Sequence, residues 1–359
     1  MTNVTIPNDI TEVTPAWIET ALNGGGKISV GTIAAADLKQ IGEGVGIMGE
    51  LYRASLTYSS GTGPASVIVK LPSRAEENRA QGVALGMYDC EVNFYQQIAD
   101  GTDARIPRSF FSASVPGTGT FVILMEDLGH MSMVAQMDGM STSQTVRSLE
   151  SLAAVHASWW GKADAPELSW VPSVVHERIQ GFAQMWPALW EMFLPKFADV
   201  LPEGGAELGQ WMTTNYWECM VTFSKSPWTL LHQDFRVDNL MFDNDEVAVI
   251  DWQSIGRGPG AYDLAYLLGG SVTIEVRREN EETWVRHYHS VLKDRGIDYS
   301  FDALWRDYRI GHLLGGPSTA TLTGATFDLG NDRGVALIQS MAQRHFTACI
   351  DLDSLSLVS

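Results

Sequence analysis

Residues 230–242 read LLHQDFRVDNLMF and residues 247–253 read VAVIDWQ, which places His232, Asp234, Asn239 and Asp251 among apolar residues that suit strands. Carboxylates and a carboxamide at the ends of apolar segments are costly unless they hold a cation or handle a proton. In-line phosphoryl transfer needs both. One carboxylate must reach the attacking hydroxyl, and further oxygen ligands must fix magnesium between the phosphates. Asp234 fits the first task. Asn239 in the same loop and Asp251 at the end of VAVI fit the second, since magnesium prefers hard oxygen donors and few protein ligands. His232 is expected to pack and hydrogen-bond so that the loop is held. The competing reading is a hairpin loop whose acids are incidental.

Upstream, Lys70 ends the strand-like run SVIVK, where an apolar side chain is expected. Glu91 lies in the middle of a helical pattern whose packed face is marked by Leu85, Tyr88, Val92 and Tyr95. A lysine paired with such a glutamate can hold the α and β phosphates of a nucleotide. The segment GEGVGIMGELYRASL carries Gly44, Gly46 and Gly49 in G-x-G-x-x-G spacing. A dinucleotide-binding turn would be followed by a helix, and here a strand follows. That context favours a Gly-rich hairpin over nucleotide phosphates, where missing side chains let backbone N–H groups approach the anion. A plain flexible hairpin and a surface lysine without a partner are the alternatives.

These residues need elements to carry them. Thr14 and Pro15 predict the cap and first turn of a short N-terminal helix. GTIAAADLKQIG, ELYRASLTY and ASVIVKLP predict an antiparallel meander, ALGMYDCEVNFYQQIAD one helix, and RSFFSASVP with GTFVILMEDL two more strands. From about residue 142 the pattern turns helical, with two short apolar runs at 229–232 and 247–250 bracketing a polar loop. The expectation is an α+β chain with a β-rich N-terminal lobe of residues 1–129 and a mostly helical lobe of residues 130–359. The length of 359 residues and 45% hydrophobic content suit two lobes. A formal charge of −19 argues against nucleic-acid and anionic-membrane partners. Three dispersed cysteines suggest neither a disulfide framework nor a zinc site. No stretch resembles a signal peptide or a membrane span, so a soluble cytoplasmic protein is expected.

HQDFRVDNLMF followed by VIDW resembles the H-x-D-x-x-x-x-N and hydrophobic-Asp pattern of the aminoglycoside phosphotransferase and choline kinase-like superfamily. LMEDLG at 124–129, LAAVHASWWG at 152–161, IDWQ at 250–253 and GPGAYDLAYLLGG at 258–270 resemble more particularly its ecdysteroid kinase-like branch and bacterial relatives. The likeness spans about residues 40–270. It implies a protein-kinase-like fold with a nucleotide cleft between two lobes, and an ATP- and magnesium-dependent kinase. By the same resemblance Asp234 is the catalytic base, Asn239 and Asp251 are the magnesium ligands, and Lys70 and Glu91 anchor the nucleotide. Glu126, Asp127 and Leu128, with Gly129, then form the hinge beside adenine, and Asp263 accepts hydrogen bonds from the catalytic loop. Gln233 departs from the pattern at a place where the superfamily often has Gly.

A protein kinase needs a long segment after the metal-binding Asp to dock a peptide, and here only 11 residues (252–262) separate Asp251 from Asp263. The expected partner is therefore a small-molecule hydroxyl acceptor. A metal-dependent hydrolase would not require Lys70, Glu91 or the Gly-rich hairpin. A pseudokinase serving as an interaction module is the non-enzyme alternative, and an aminoglycoside phosphotransferase is the enzyme alternative. Residues 156–229 hold eight of the 12 tryptophans and eight acids against four bases, all scattered. They suit an acceptor with an apolar body, steroid-like or hydroxyacyl-like, better than a polycation.

Overall fold

The computed structural model describes residues 4–42, 48–326 and 332–358. Two compact units are present, one of residues 1–101, 106–131 and 250–254, the other of residues 102–105, 132–249 and 255–359.

The first unit opens with α1 (Pro15–Gly24), where the Thr14 hydroxyl accepts from Trp17 N at 3.2 Å and Pro15 starts the helix. The strands β1 (Thr32–Ile41), β2 (Gly49–Ser60) and β3 (Ser66–Pro72) form the meander. After two helices, β4 (Ser109–Val115) and β5 (Thr120–Glu126) complete an antiparallel sheet of order β1-β2-β3-β5-β4. Strand alternation decides what each face sees. Val67, Val69 and Leu71 of β3 join Ile18 and Leu22 of α1 in one core, so Lys70 must point to the other face.

That other face is covered from the segment that was expected to be one helix over residues 84–100. It is two helices, α2 (Glu76–Ala84) and α3 (Met87–Gln97). Gly86 breaks them with a φ of +67°, a conformation open to glycine and strained for most residues. Leu85, expected on the packed face, lies at the break and is 37% exposed. Tyr88, Glu91, Val92 and Tyr95 of α3 are buried as the helical pattern implies. Tyr88 stacks on Phe121 of β5 at 4.6 Å, which seats α3 against the sheet.

The second unit begins with β6 (Ser132–Met133) and α4 (Thr142–Trp159), the latter started by a Ser141–Gln144 capping box. Helices α5 (Glu177–Phe197) and α6 (Gly205–Phe223) follow. Next come β7 (Trp228–Leu231), β8 (Leu240–Phe242), β9 (Val247–Val249) and β10 (Gly256–Pro259). β7 pairs with β10, and β6, β8 and β9 form a small antiparallel sheet. The polar loop therefore contains a strand, β8, which at three residues is too short to carry a period-2 signal. Among the described residues the unit continues with the α-helices α7 (Ala261–Gly270), α8 (Ile274–Asp294), α9 (Phe301–His312), α10 (Gly315–Thr326) and α11 (Asp332–Asp351). Every residue of α7 is buried.

Candidate active site

In the first unit three of the ionisable residues singled out by sequence, Lys70, Glu91 and Asp251, come together. Lys70 Nζ lies 2.7 Å from Glu91 Oε2 and 2.8 Å from Asp251 Oδ1. Lys70 is 8% exposed and Glu91 1%. Burial opposes the lysine's charge, but Asp251 and Glu91 outweigh it and hold its pKa above the ordinary value. Burial also raises the Glu91 carboxyl above the usual range, with the Lys70 ammonium pulling the other way. Asp251 takes a left-handed backbone, φ +65°, although it carries a side chain. Its Oδ2 accepts from Gln253 Nε2 at 3.2 Å, and its neighbour Trp252 stacks on Phe94 of α3 at 4.0 Å.

Gly49 begins β2, and a Cβ there would lie 3.4 Å from Lys70 Cε and 3.1 Å from the Leu71 carbonyl. The glycine leaves room for the lysine stem. Gly44 and Gly46 lie outside the described residues. At the expected hinge, the Asp127 carboxylate accepts from Arg53 Nε at 2.7 Å, Ser66 Oγ at 2.6 Å and Gly129 N at 2.9 Å. Burial pushes this carboxyl up, but the bonds from Arg53 and Ser66 hold it below the usual range. Glu126 accepts from Arg108 N at 3.1 Å, and Leu128 is buried. The acidic side chains of residues 126–129 thus shape the segment that carries them.

In the second unit, the loop after β7 organises Asp234. Its Oδ1 accepts from Arg236 Nε at 3.1 Å and from the Tyr266 hydroxyl at 3.0 Å, and its Oδ2 from Asn239 Nδ2 at 2.8 Å. Asn239 Nδ2 also donates to the Asp234 carbonyl at 2.9 Å, which directs its own carbonyl oxygen away from that carboxylate. Asp263 of α7 accepts from His232 N at 2.7 Å and Gln233 N at 2.9 Å, and His232 Nδ1 accepts from Asp234 N at 3.3 Å. Gln233 sits at φ +62° where a glycine would be relaxed. Its side chain fits beside Gly256, where a Cβ would come within 2.5 Å of it.

Sequence reasoning had no role for Arg236, Asp238 or Tyr266. Arg236 bridges Asp234 and Asp238, and Asp238 Oδ1 in turn accepts from Gln136 N at 2.9 Å. Burial opposes the Arg236 charge, and the two carboxylates more than restore it. Burial, then the Asp234 charge, raises the Tyr266 phenol well above its ordinary range, so it remains a donor. Spacing from Asp263 by one helical turn could have pointed to Tyr266. The uniform burial of α7 removes any amphipathic contrast that would have marked it.

Hard oxygens suited to magnesium are present at Asn239 and Asp251, and a buried cation suited to phosphate at Lys70. Among the described residues no group of three or more His, Cys, Asp or Glu is arranged to hold a metal ion.

Known structures share this protein-kinase-like fold. A choline kinase from Streptococcus pneumoniae superposes with a TM-score of 0.53 at 16% identity, covering 89% of this chain and 94% of the kinase. A mutant aminoglycoside 2'-phosphotransferase in complex with GDP gives 0.54 at 13% identity, covering 93% of this chain and 99% of that one. In sequence, an uncharacterized kinase-like protein of Caenorhabditis elegans is 22% identical over 257 residues, 66% of this chain. The match covers 65% of that relative, just under two thirds of its length. The model of the ecdysteroid kinase-like family matches residues 43–298, and the chain belongs to that family.

Proposed function

We propose that the protein is an ATP- and magnesium-dependent phosphotransferase acting on a hydroxyl group of a small molecule with a sizeable apolar body. The carrying observation is the buried Lys70 held between Glu91 and Asp251 in a chain of a kinase-like family. A structural ion pair needs one acid. A second carboxylate that is 28% exposed in its side chain and strained in its backbone suits a ligand-facing role. In this reading Lys70 holds the nucleotide phosphates, Glu91 fixes the lysine, and Asp234 takes the acceptor's proton. Glu126, Asp127 and Leu128 carry the adenine hinge, and Gly49 lines the phosphates. Magnesium, when bound by Asn239 and Asp251, would offset charge on the phosphates.

Two lobes, residues 1–129 and 130–359, divide the nucleotide and acceptor tasks. The acceptor's apolar character follows from residues 156–229, whose acids are scattered and whose aromatic residues are abundant. Phosphate transfer from ATP, and GTP in parallel, to hydroxylated metabolites, hydroxysteroids, hydroxyacyl compounds and kanamycin-type aminoglycosides tests this. Efficient turnover of the aminoglycosides alone would refute the apolar acceptor. Absence of any magnesium-dependent nucleotide turnover would favour an interaction module.

A further inference from the structure

The two oxygens of Asp234 are treated differently. Oδ1 accepts two hydrogen bonds, from Arg236 and Tyr266, while Oδ2 accepts from Asn239. A carboxylate oxygen has about two lone-pair sites, so Oδ1 is filled and Oδ2 keeps one for a further donor. Of the donors to Oδ1, Arg236 belongs to the same loop and also serves Asp238. Tyr266 comes from a fully buried helix.

Its ring is 2% exposed and stacks on His345 with centroids 5.3 Å apart. A Cβ on Gly315 would come within 3.2 Å of the ring. A buried ring stacked on His345 of α11 is held independently of the loop. We infer that Tyr266 is a positioning residue for Asp234: its buried hydroxyl pins Oδ1, fixes the rotation of the carboxylate and leaves Oδ2 to receive the acceptor's proton. This role rests on the phosphotransferase reading above. In the transfer, the acceptor O–H bond breaks with its proton passing to Oδ2, and the acceptor oxygen bonds to the γ-phosphorus. The bridging P–O bond breaks with its electron pair leaving on the nucleoside diphosphate. Tyr266 keeps its own proton throughout.

The test uses the full chain, ATP with and without magnesium, and release of phosphate to water as the readout. Tyr266→Phe keeps the ring and removes one hydroxyl. It is expected to lower kcat about tenfold, the size of losing one hydrogen bond to a charged group. The KM for ATP should stay within about twofold, because the loss falls on the chemical step. Tyr262→Phe removes a hydroxyl from the same helix with no bond to Asp234 and should leave kcat unchanged. Wild-type kcat in Tyr266→Phe, an equal loss in Tyr262→Phe, or a matching rise in KM would overturn the positioning role alone. A wild-type protein with no magnesium-dependent transfer of phosphate, either to water or to any hydroxyl compound of the acceptor panel, would overturn the phosphotransferase reading and this role with it.

Discussion

The Lys70 cluster and the Asp234 loop are built by opposite means. Lys70 meets a carboxylate 21 residues away and another 181 residues away, so strand, helix and a distant segment must all be folded first. Asp234 finds Arg236 and Asn239 within its own loop and reaches beyond it to Tyr266. The first cluster sets a buried ammonium between the buried Glu91 and the part-exposed Asp251, so removing the lysine leaves two carboxylates uncompensated. The second consists of shared hydrogen bonds around a carboxylate whose side chain is 24% exposed, and Arg236 keeps Asp238 as a partner when the Asp234 charge is removed. Stability and chemistry should therefore separate between them.

The largest separation is expected from Asp234→Asn, which removes a proton acceptor at constant shape. Phosphoryl transfer should fall by about a hundred- to ten-thousand-fold while ATP affinity and melting temperature hold. Near-normal turnover would show that another group is the base. Lys70→Met reverses the pattern, stranding Glu91 and costing about 3–5 kcal/mol in denaturant unfolding. Adding Glu91→Leu should restore much of that stability but no ATP binding by calorimetry. If the double variant stays as unstable as the single one, the pair is not what anchors α3 to the sheet. Asp251→Asn should fall between the two, weakening magnesium dependence with a smaller stability loss.

Acid should sharpen the contrast. In the second unit His345 is pushed down to about 3 by burial, then by Arg344 and Arg277. His312 is held well below its ordinary value by burial, then by Arg277 and His345, with Glu281 Oε1 4.0 Å from its Nε2. Both are neutral when folded and free to protonate when unfolded. Above about pH 6.5 neither state binds the extra proton and the full stability is present. As pH falls from there toward 3, the unfolded chain binds protons that the folded one refuses, and stability drops. Urea midpoints between pH 7.5 and pH 4.5 should fall less steeply in His345→Gln than in wild type. Equal slopes would mean that carboxylates elsewhere dominate the acid limb.

What could be read from sequence follows the same division. HQDFRVDN shows its acids and its carboxamide together because they lie within one loop, and the Asp263 bonds to His232 and Gln233 follow from the family resemblance. The pairing of Lys70 with Glu91 was legible because a lysine in an apolar strand and a glutamate on a packed helical face are each costly unless paired. Its second bond, to Asp251, was not, since only the folded chain brings residues 250–254 to α3. The break at Gly86 was hidden because a glycine within a helical pattern can be tolerated as easily as it can divide. Tyr266 was hidden for a different reason: in a helix buried on every side, a functional hydroxyl looks like core.

The smallest expected effect tests the comparison most closely, because each cluster contains one non-glycine residue in left-handed backbone, Asp251 at φ +65° and Gln233 at φ +62°. Such a conformation costs about 1–2 kcal/mol for an L-residue relative to glycine. At Gln233 the side chain occupies the space beside Gly256, and its backbone N is already bonded to Asp263. Gln233→Gly should keep that bond, relieve the strain and raise stability by about 1 kcal/mol, with turnover retained. Asp251→Gly relieves the same strain but removes the carboxylate 2.8 Å from Lys70 Nζ, so its net effect should be destabilising. Thermal unfolding of the two variants decides the matter by sign. Stabilisation in both would mean that the Asp251–Lys70 contact contributes less than the backbone strain it maintains.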